Sequence, residues 1–224
     1  MVIIFQDFAG EGYVYHIVNI IDLKKTMSEG IRYDDKKTYA SKYYDFHSYL
    51  DSYKPLGIPE WVERKKAIFT SFNFKNNHTW HSHSAVLRVR IEKSRCWVCN
   101  ENIANFIYEP FILQHMAEFG SAGSYISGNG LKIVQEYWNT SLSYIENLEK
   151  RYDKREGYDA EILVLHDIPP QNIECLYIIS DHKMMTFKEW QDVFKPENTC
   201  LSIQYSKYLQ PKSTTSAWNT SGSQ

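Results

Sequence analysis

Long apolar runs are missing from this 224-residue chain. No stretch approaches the roughly 18 apolar residues that a membrane-spanning helix needs, so no membrane partner is expected. Cysteine is scarce at four residues, Cys96, Cys99, Cys175 and Cys200. Cys96-Trp-Val-Cys99 has zinc-knuckle or redox spacing, but the other two thiols stand alone, and half a zinc site predicts buried free thiols instead. The opening Met1-Val-Ile-Ile-Phe5 carries no basic segment and is cut short by Gln6 and Asp7, which predicts no leader and a reducing, cytoplasmic setting. Charge of one sign is also missing: the formal net charge is −2, which gives no global attraction to a polyanion. The Gly/Ser segment Gly120–Gly130 has neither the closing Lys-Ser/Thr of a phosphate loop nor the spacing of a dinucleotide fingerprint. It is read as a loop flexible enough for a lid.

What is present in excess is aromatic. Tyr alone counts 17 and Trp 6, residues that join apolar area to a polar tip and suit ligand surfaces as well as cores. Charge is also unevenly spread. Between Lys54 and Arg95 nine basic residues face three acidic ones, a local excess able to form a phosphate-facing patch or simply a solvated face.

Periodicity predicts a mixed α and β chain. Tyr13–Val18 is a strand, Asn19 an N-cap, and Gly30 closes the short helix that follows. A weak helical pattern covers Ala40–Leu50, a helical turn Trp61–Lys66, and a strand Ala67–Phe72. Ser84–Glu92 alternates as a half-exposed strand with Arg88 and Arg90 on its outer face. A helix capped by Asn100 is expected to kink or break at Pro110 and resume towards Phe119. Leu131–Arg151 reads as one long amphipathic helix. Ile162–Leu165 is a buried strand, Ile173–Ile179 another, and Thr186 with Glu189 forms a capping box for a helix over Phe187–Phe194. Leu201–Tyr205 is a last strand candidate. One domain over residues 1–210 and a disordered tail over 211–224 complete the expectation.

Three constellations carry possible chemistry. Glu161 stands at the mouth of the buried strand, where an ionised acid must be paired, hydrogen-bonded or wet; the plain alternative is a solvated strand end. His16 sits where a strand hands over to a helix, and a satisfied core histidine is the plain alternative there. His78, His81 and His83 invite a metal site and hence a nuclease, yet no carboxylate or cysteine is interleaved, and no metal is expected.

Tyr15-His16 with the short helix and Gly30-Ile31, together with Ala160-Glu161-Ile-Leu-Val164, Ile168-Pro-Pro170 and Ile173, resembles the ADP-ribosyltransferase superfamily. Within it the chain is similar to the DarT-like enzymes that modify nucleic acid. The resemblance spans roughly Tyr13 to Ile179. It implies an α+β fold, a split β-sandwich with flanking helices that grips NAD, as substrate, in a cleft. By the same resemblance Glu161 stabilises positive charge on the nicotinamide ribose, while His16, Asn19, Thr70, Ser71 and Phe72 shape the NAD site, Phe72 by stacking. Asp159, two residues before Glu161, is expected to share its face and orient or deprotonate the acceptor. Arg64, Arg88 and Arg90 are candidates for holding single-stranded DNA or RNA, and Arg64 also for the family's catalytic arginine. Val18 stands where DarT-like chains carry Thr, and their Pro-Met segment has no counterpart here. The implied function is ADP-ribosyl transfer to a nucleic-acid base by a toxin-type or defence enzyme, with an antitoxin as possible partner. The alternatives are a non-catalytic nucleic-acid-binding module and a transferase acting on protein.

Overall fold

Eight strands hydrogen-bond in the order β5-β4-β6-β2-β1-β3-β7-β8. All named pairings are antiparallel. The computed structural model describes residues 5–35, 43–74, 80–181, 183–193 and 195. The strands are β1 Tyr13–Asn19, β2 Ile68–Ser71, β3 Ser84–Arg90, β4 Cys96–Asn100, β5 Leu142–Ser143, β6 Ala160–Val164, β7 Ile173–Ser180 and β8 Lys183–Thr186. The helices are α1 Ile20–Glu29, α2 Tyr44–Asp51, α3 Glu101–Leu113, α4 Gly120–Tyr125, α5 Leu131–Asn139, α6 Tyr144–Lys150 and α7 Phe187–Val193.

The α+β expectation holds, whereas two separately hydrogen-bonded sheets are not what forms. The strands make one order that narrows at its middle, where β1 and β2 share the single register pair Tyr15–Ser71. Each neighbour of this junction is zipped over four or more pairs. Both halves bury one face in a common core, with Val14, Val18, Leu87 and Val89 from one side meeting Ile68, Val98, Ile162 and Val164 from the other. The opposite face of the β4-β6-β2 half is covered by α2, α3 and α5 through Leu50, Ile107, Val134 and Trp138. Beyond the junction, that opposite face carries an aromatic cluster of Phe5, Phe8, Tyr15, Phe74, Trp80 and Tyr177.

Several local expectations are met. Asn19 Oδ1 accepts from Ile21 N at 3.0 Å to start α1. Thr186 and Glu189 exchange the hydrogen bonds of a capping box. Others are corrected. Helix α3 runs through Pro110 to Leu113 without a break, because the proline removes one N–H while Ile103, Ala104 and Ile107 hold the apolar face. Gly120–Gly130 is not a loop: it forms α4, then a π-helical turn over Ile126–Gly130 that leads directly into α5. Packing decides there over propensity, with Ile126 and Gly130 buried under Tyr49. The single helix expected over Leu131–Arg151 is two, interrupted by β5, since Ser143 and Glu146 make a capping box that restarts the chain as α6. Strand β3 is buried along most of its length instead of half-exposed, because it lies between β1 and β7; only Arg88 and Arg90 reach the surface. Cys96 and Cys99 are three residues apart on β4, so they face opposite cores and form no chelating pair. Burial pushes the Cys96 thiol up to about 12. Cys200, the strand candidate at Leu201–Tyr205, Phe194 and the tail from residue 211 lie outside the described residues.

Gly30 joins the N-terminal helix to the edge of the site strand. Its φ of 94° is in the left-handed half of backbone space, and Ile31 pairs with Ile168 immediately after it. A Cβ there would sit 2.3 Å from the Ile168 carbonyl oxygen. Gly30→Ala is therefore expected to cost about 2–4 kcal/mol, read as a fall of the thermal midpoint by roughly 5 °C or more. An unchanged midpoint contradicts this account of the junction.

Candidate active site

The pinch between β1 and β2 opens one end of the sheet. Tyr15, Ser71, Glu161 and Cys99 are register neighbours on four adjacent strands and so share a face. From β6 to β1 is two inter-strand steps, about 10 Å. A cleft of about 510 Å³ lies over this row, lined among others by Tyr15, His16, Thr70, Ser71, Arg64 and Glu161. That volume falls within the usual range for small-molecule sites.

Glu161 is 4% exposed, so its carboxylate has left water and must be compensated by protein. Two groups do this. Arg64 Nη1, from the 3-10 turn Arg64–Lys66, donates to Oε1 and forms a buried ion pair. The Tyr137 hydroxyl, from α5, donates to the same oxygen at 2.9 Å. Arg64 Nη1 also contacts the Tyr137 oxygen. Among the described residues no hydrogen bond falls on Oε2, which leaves that oxygen to the cleft. Burial alone would lower the Arg64 pKa, but the charge of Glu161 beside it holds the guanidinium above its ordinary value. Burial drives the Tyr137 hydroxyl well above its ordinary value, so it stays a donor.

Arg64 is itself tightly seated. Its Cζ lies 4.8 Å from the Phe69 ring centroid and 5.2 Å from that of Tyr137. Nε donates to His47 Nδ1 at 2.9 Å. Burial and then the Arg64 charge push His47 down to about 2, so the ring is neutral at working pH. On β1, His16 Nδ1 lies 2.8 Å from the Phe69 carbonyl oxygen, where the β1–β2 ladder has already parted. The imidazole thus bridges the two strands and turns its ring along the cleft wall.

Of the residues singled out from sequence, Glu161, His16, Thr70, Ser71 and Arg64 meet in this one cleft. Asp159 does not share it. Strand β6 begins only at Ala160, and the Asp159 backbone is docked on the β4–α3 corner through Asn100 Oδ1 at 3.2 Å and Glu101 N at 2.7 Å. Asp159 lines an adjoining hollow of about 310 Å³, which has Ile17, Ser71, Phe74 and Glu101 in common with the cleft. Phe72 is 3% exposed and packs on Tyr144, and the phenylalanines that line the cleft are Phe46, Phe69 and Phe74. Asn19 caps α1 away from the cleft. Arg88 pairs with Glu174 and lies over Phe8 and Tyr13, and Arg90 is exposed; neither lines the cleft or the adjoining hollow.

The basic segment is dispersed by local pairing. Lys54 Nζ donates to the carbonyls of Pro59, Glu60 and Val62, Lys65 and Lys66 pair with Glu63, and Arg95 donates to Leu165 O. Arg64, a candidate both for holding nucleic acid and for the catalytic arginine, is 4% exposed and paired with Glu161 instead of lying on the surface. His81 and His83 are exposed, His78 lies outside the described residues, and no metal-holding group of three side chains occurs among the described residues.

Sequence reasoning missed Tyr137, His47 and Glu101. Tyr137 carried a signal, since it follows Val134 by three residues on the apolar face of α5. His47 and Asp51, one turn apart in a weak helical pattern, carried a fainter one. Glu101 looks like any first-turn acid after an N-cap. The buried pair makes its own prediction: Arg64→Met strands the Glu161 carboxylate and is expected to cost about 3–5 kcal/mol, with most of it recovered in Arg64→Met/Glu161→Met. Urea denaturation measures both, and a double variant no more stable than the single one contradicts the pairing.

No family model, curated protein or solved structure matches the chain, so the chemistry of the site rests on its own residues.

Proposed function

We propose that the protein transfers ADP-ribose from NAD to a nucleic-acid acceptor, the base of a single strand. The observation that carries this reading is Glu161 itself: an acid buried beside its own arginine, with Oε2 left to a cleft that His16, Thr70 and Ser71 also line. Departure of nicotinamide breaks the C1′–N bond and leaves positive charge on the ribose. A carboxylate already fixed at that point gains more in the transition state than before it. Arg64 and Tyr137 saturate Oε1, so Glu161 cannot swing away, and Oε2 is the oxygen that meets the sugar. His16 and Ser71 supply polar groups for ribose hydroxyls, and Phe69 and Phe74 supply ring faces for nicotinamide.

The adjoining hollow receives the acceptor. Glu101 and Asp159 there present carboxylates, which favour a base edge carrying N–H groups. As the new bond to C1′ forms, the acceptor proton passes to Asp159. A base inside a duplex does not reach such a recess, hence the preference for single strands. A protein acceptor is the second reading. It is favoured by the local pairing of Lys54, Lys65, Lys66 and Arg88, and by the fit of a guanidinium to the same acids. By likeness to DarT-like enzymes the cellular role is that of a toxin or defence enzyme.

Incubation with NAD and short single-stranded DNA, RNA or arginine-containing peptides, read by mass spectrometry, is expected to add one ADP-ribose to a nucleic acid. Glu161→Gln is expected to lower the rate about 10³-fold. Asp159→Asn is expected to lower transfer about 10²-fold or more, while hydrolysis of NAD to free ADP-ribose persists. Full transfer by Glu161→Gln removes this function. Modification of the peptides alone selects the second reading.

A further inference from the structure

Arg64 is gripped twice from one helix. His47 and Asp51 are one turn apart on α2 and so lie on the same side of it. Asp51 Oδ1 accepts the Arg64 backbone N–H at 2.8 Å, and Oδ2 accepts that of Lys65 at 3.1 Å, which fixes the turn. His47 then takes the side chain, accepting from Arg64 Nε at 2.9 Å. The imidazole stacks on Phe69 with centroids 4.9 Å apart and 27° between planes, the same ring over which the guanidinium lies. Both side chains thereby pack on one aromatic ring. A hydrogen bond from Nε to Nδ1 requires a lone pair on Nδ1, so the ring proton resides on Nε2. Burial and the neighbouring cation both disfavour a second proton.

An arginine facing a carboxylate ordinarily forms two parallel hydrogen bonds, one to each oxygen. Here Nε is taken by His47 and only Nη1 reaches Glu161, on Oε1. Building on the transferase reading above, we propose that His47 is a positioning residue. It holds Arg64 end-on to Glu161 Oε1 and so keeps Oε2 available to the substrate. Without an acceptor at that place the guanidinium is free to turn about Cδ–Nε and clamp both oxygens, quenching the carboxylate it now orients.

Two substitutions separate positioning from packing. His47→Asn places an amide oxygen close to where Nδ1 was, whereas His47→Leu fills space with no acceptor. In NAD consumption the expectation for His47→Leu is a fall in kcat of about 10²-fold with KM nearly unchanged, and for His47→Asn a recovery of most of that loss. Nitrogen NMR of the arginine side chains supplies a readout independent of turnover. A slowly exchanging Arg64 Nε–H is expected in the wild type and in His47→Asn, and lost in His47→Leu; the His47 imidazole should show an unprotonated Nδ1. Equal kcat in the two variants, or a protonated Nδ1, overturns the proposal. If the wild-type protein consumes no NAD, the transferase reading fails, and the NMR comparison still decides whether His47 holds Arg64.

Discussion

One buried ion pair, Arg64 with Glu161, organises the helical side of this molecule. A carboxylate on a central strand with 4% exposure is unfavourable unless every neighbour is arranged around it. The turn before β2 supplies the guanidinium, α5 the tyrosine hydroxyl, and α2 the imidazole and carboxylate that hold the guanidinium in place. Two segments far apart in sequence thus converge on one oxygen atom, and a third holds the guanidinium that reaches it. Replacing such a pair by apolar residues is often neutral or stabilising, so its presence points to chemistry more than to stability.

The sheet supplies the room. Strands β1 and β2 meet at a single register pair, and the imidazole of His16 takes the next carbonyl that a regular ladder would have bonded through the backbone. Parting the strands there opens a cleft beside Glu161 without breaking the common core on the other face, where Val14, Ile68 and Ile162 remain packed. Strand neighbours then place Tyr15, Ser71 and Glu161 in one row. The adjoining hollow around Asp159 and Glu101 shares four lining residues with the cleft, so two reactants bound side by side would meet near Ser71.

Much of this was legible in the residues. The strand around Glu161, the cap at Asn19, the glycine at 30 and the capping box at Thr186 all follow local rules that packing did not override. The role of Arg64 was not legible, because a lysine- and arginine-rich run reads as surface until a buried partner 97 residues away is seen. The helix over Gly120–Gly130 escaped for a related reason: glycine and serine signal a loop, while the contacts that override them come from Tyr49 and Ile126. The break at Leu142–Ser143 was readable, since Ser143 and Glu146 have capping-box spacing, but the apolar stripe running across it masked the signal. Asp159 was placed on the wrong side of a strand boundary by one residue, enough to move it from the cleft to its neighbour.

The most direct measurement is a crystal structure with a non-cleavable NAD analogue in which the ring oxygen of the nicotinamide ribose is replaced by a methylene group. The account predicts the nicotinamide ribose within hydrogen-bond reach of Glu161 Oε2, with His16 and Ser71 on the same ligand and Arg64 still end-on to Oε1. A ligand bound elsewhere, or an empty cleft at saturating analogue, contradicts it.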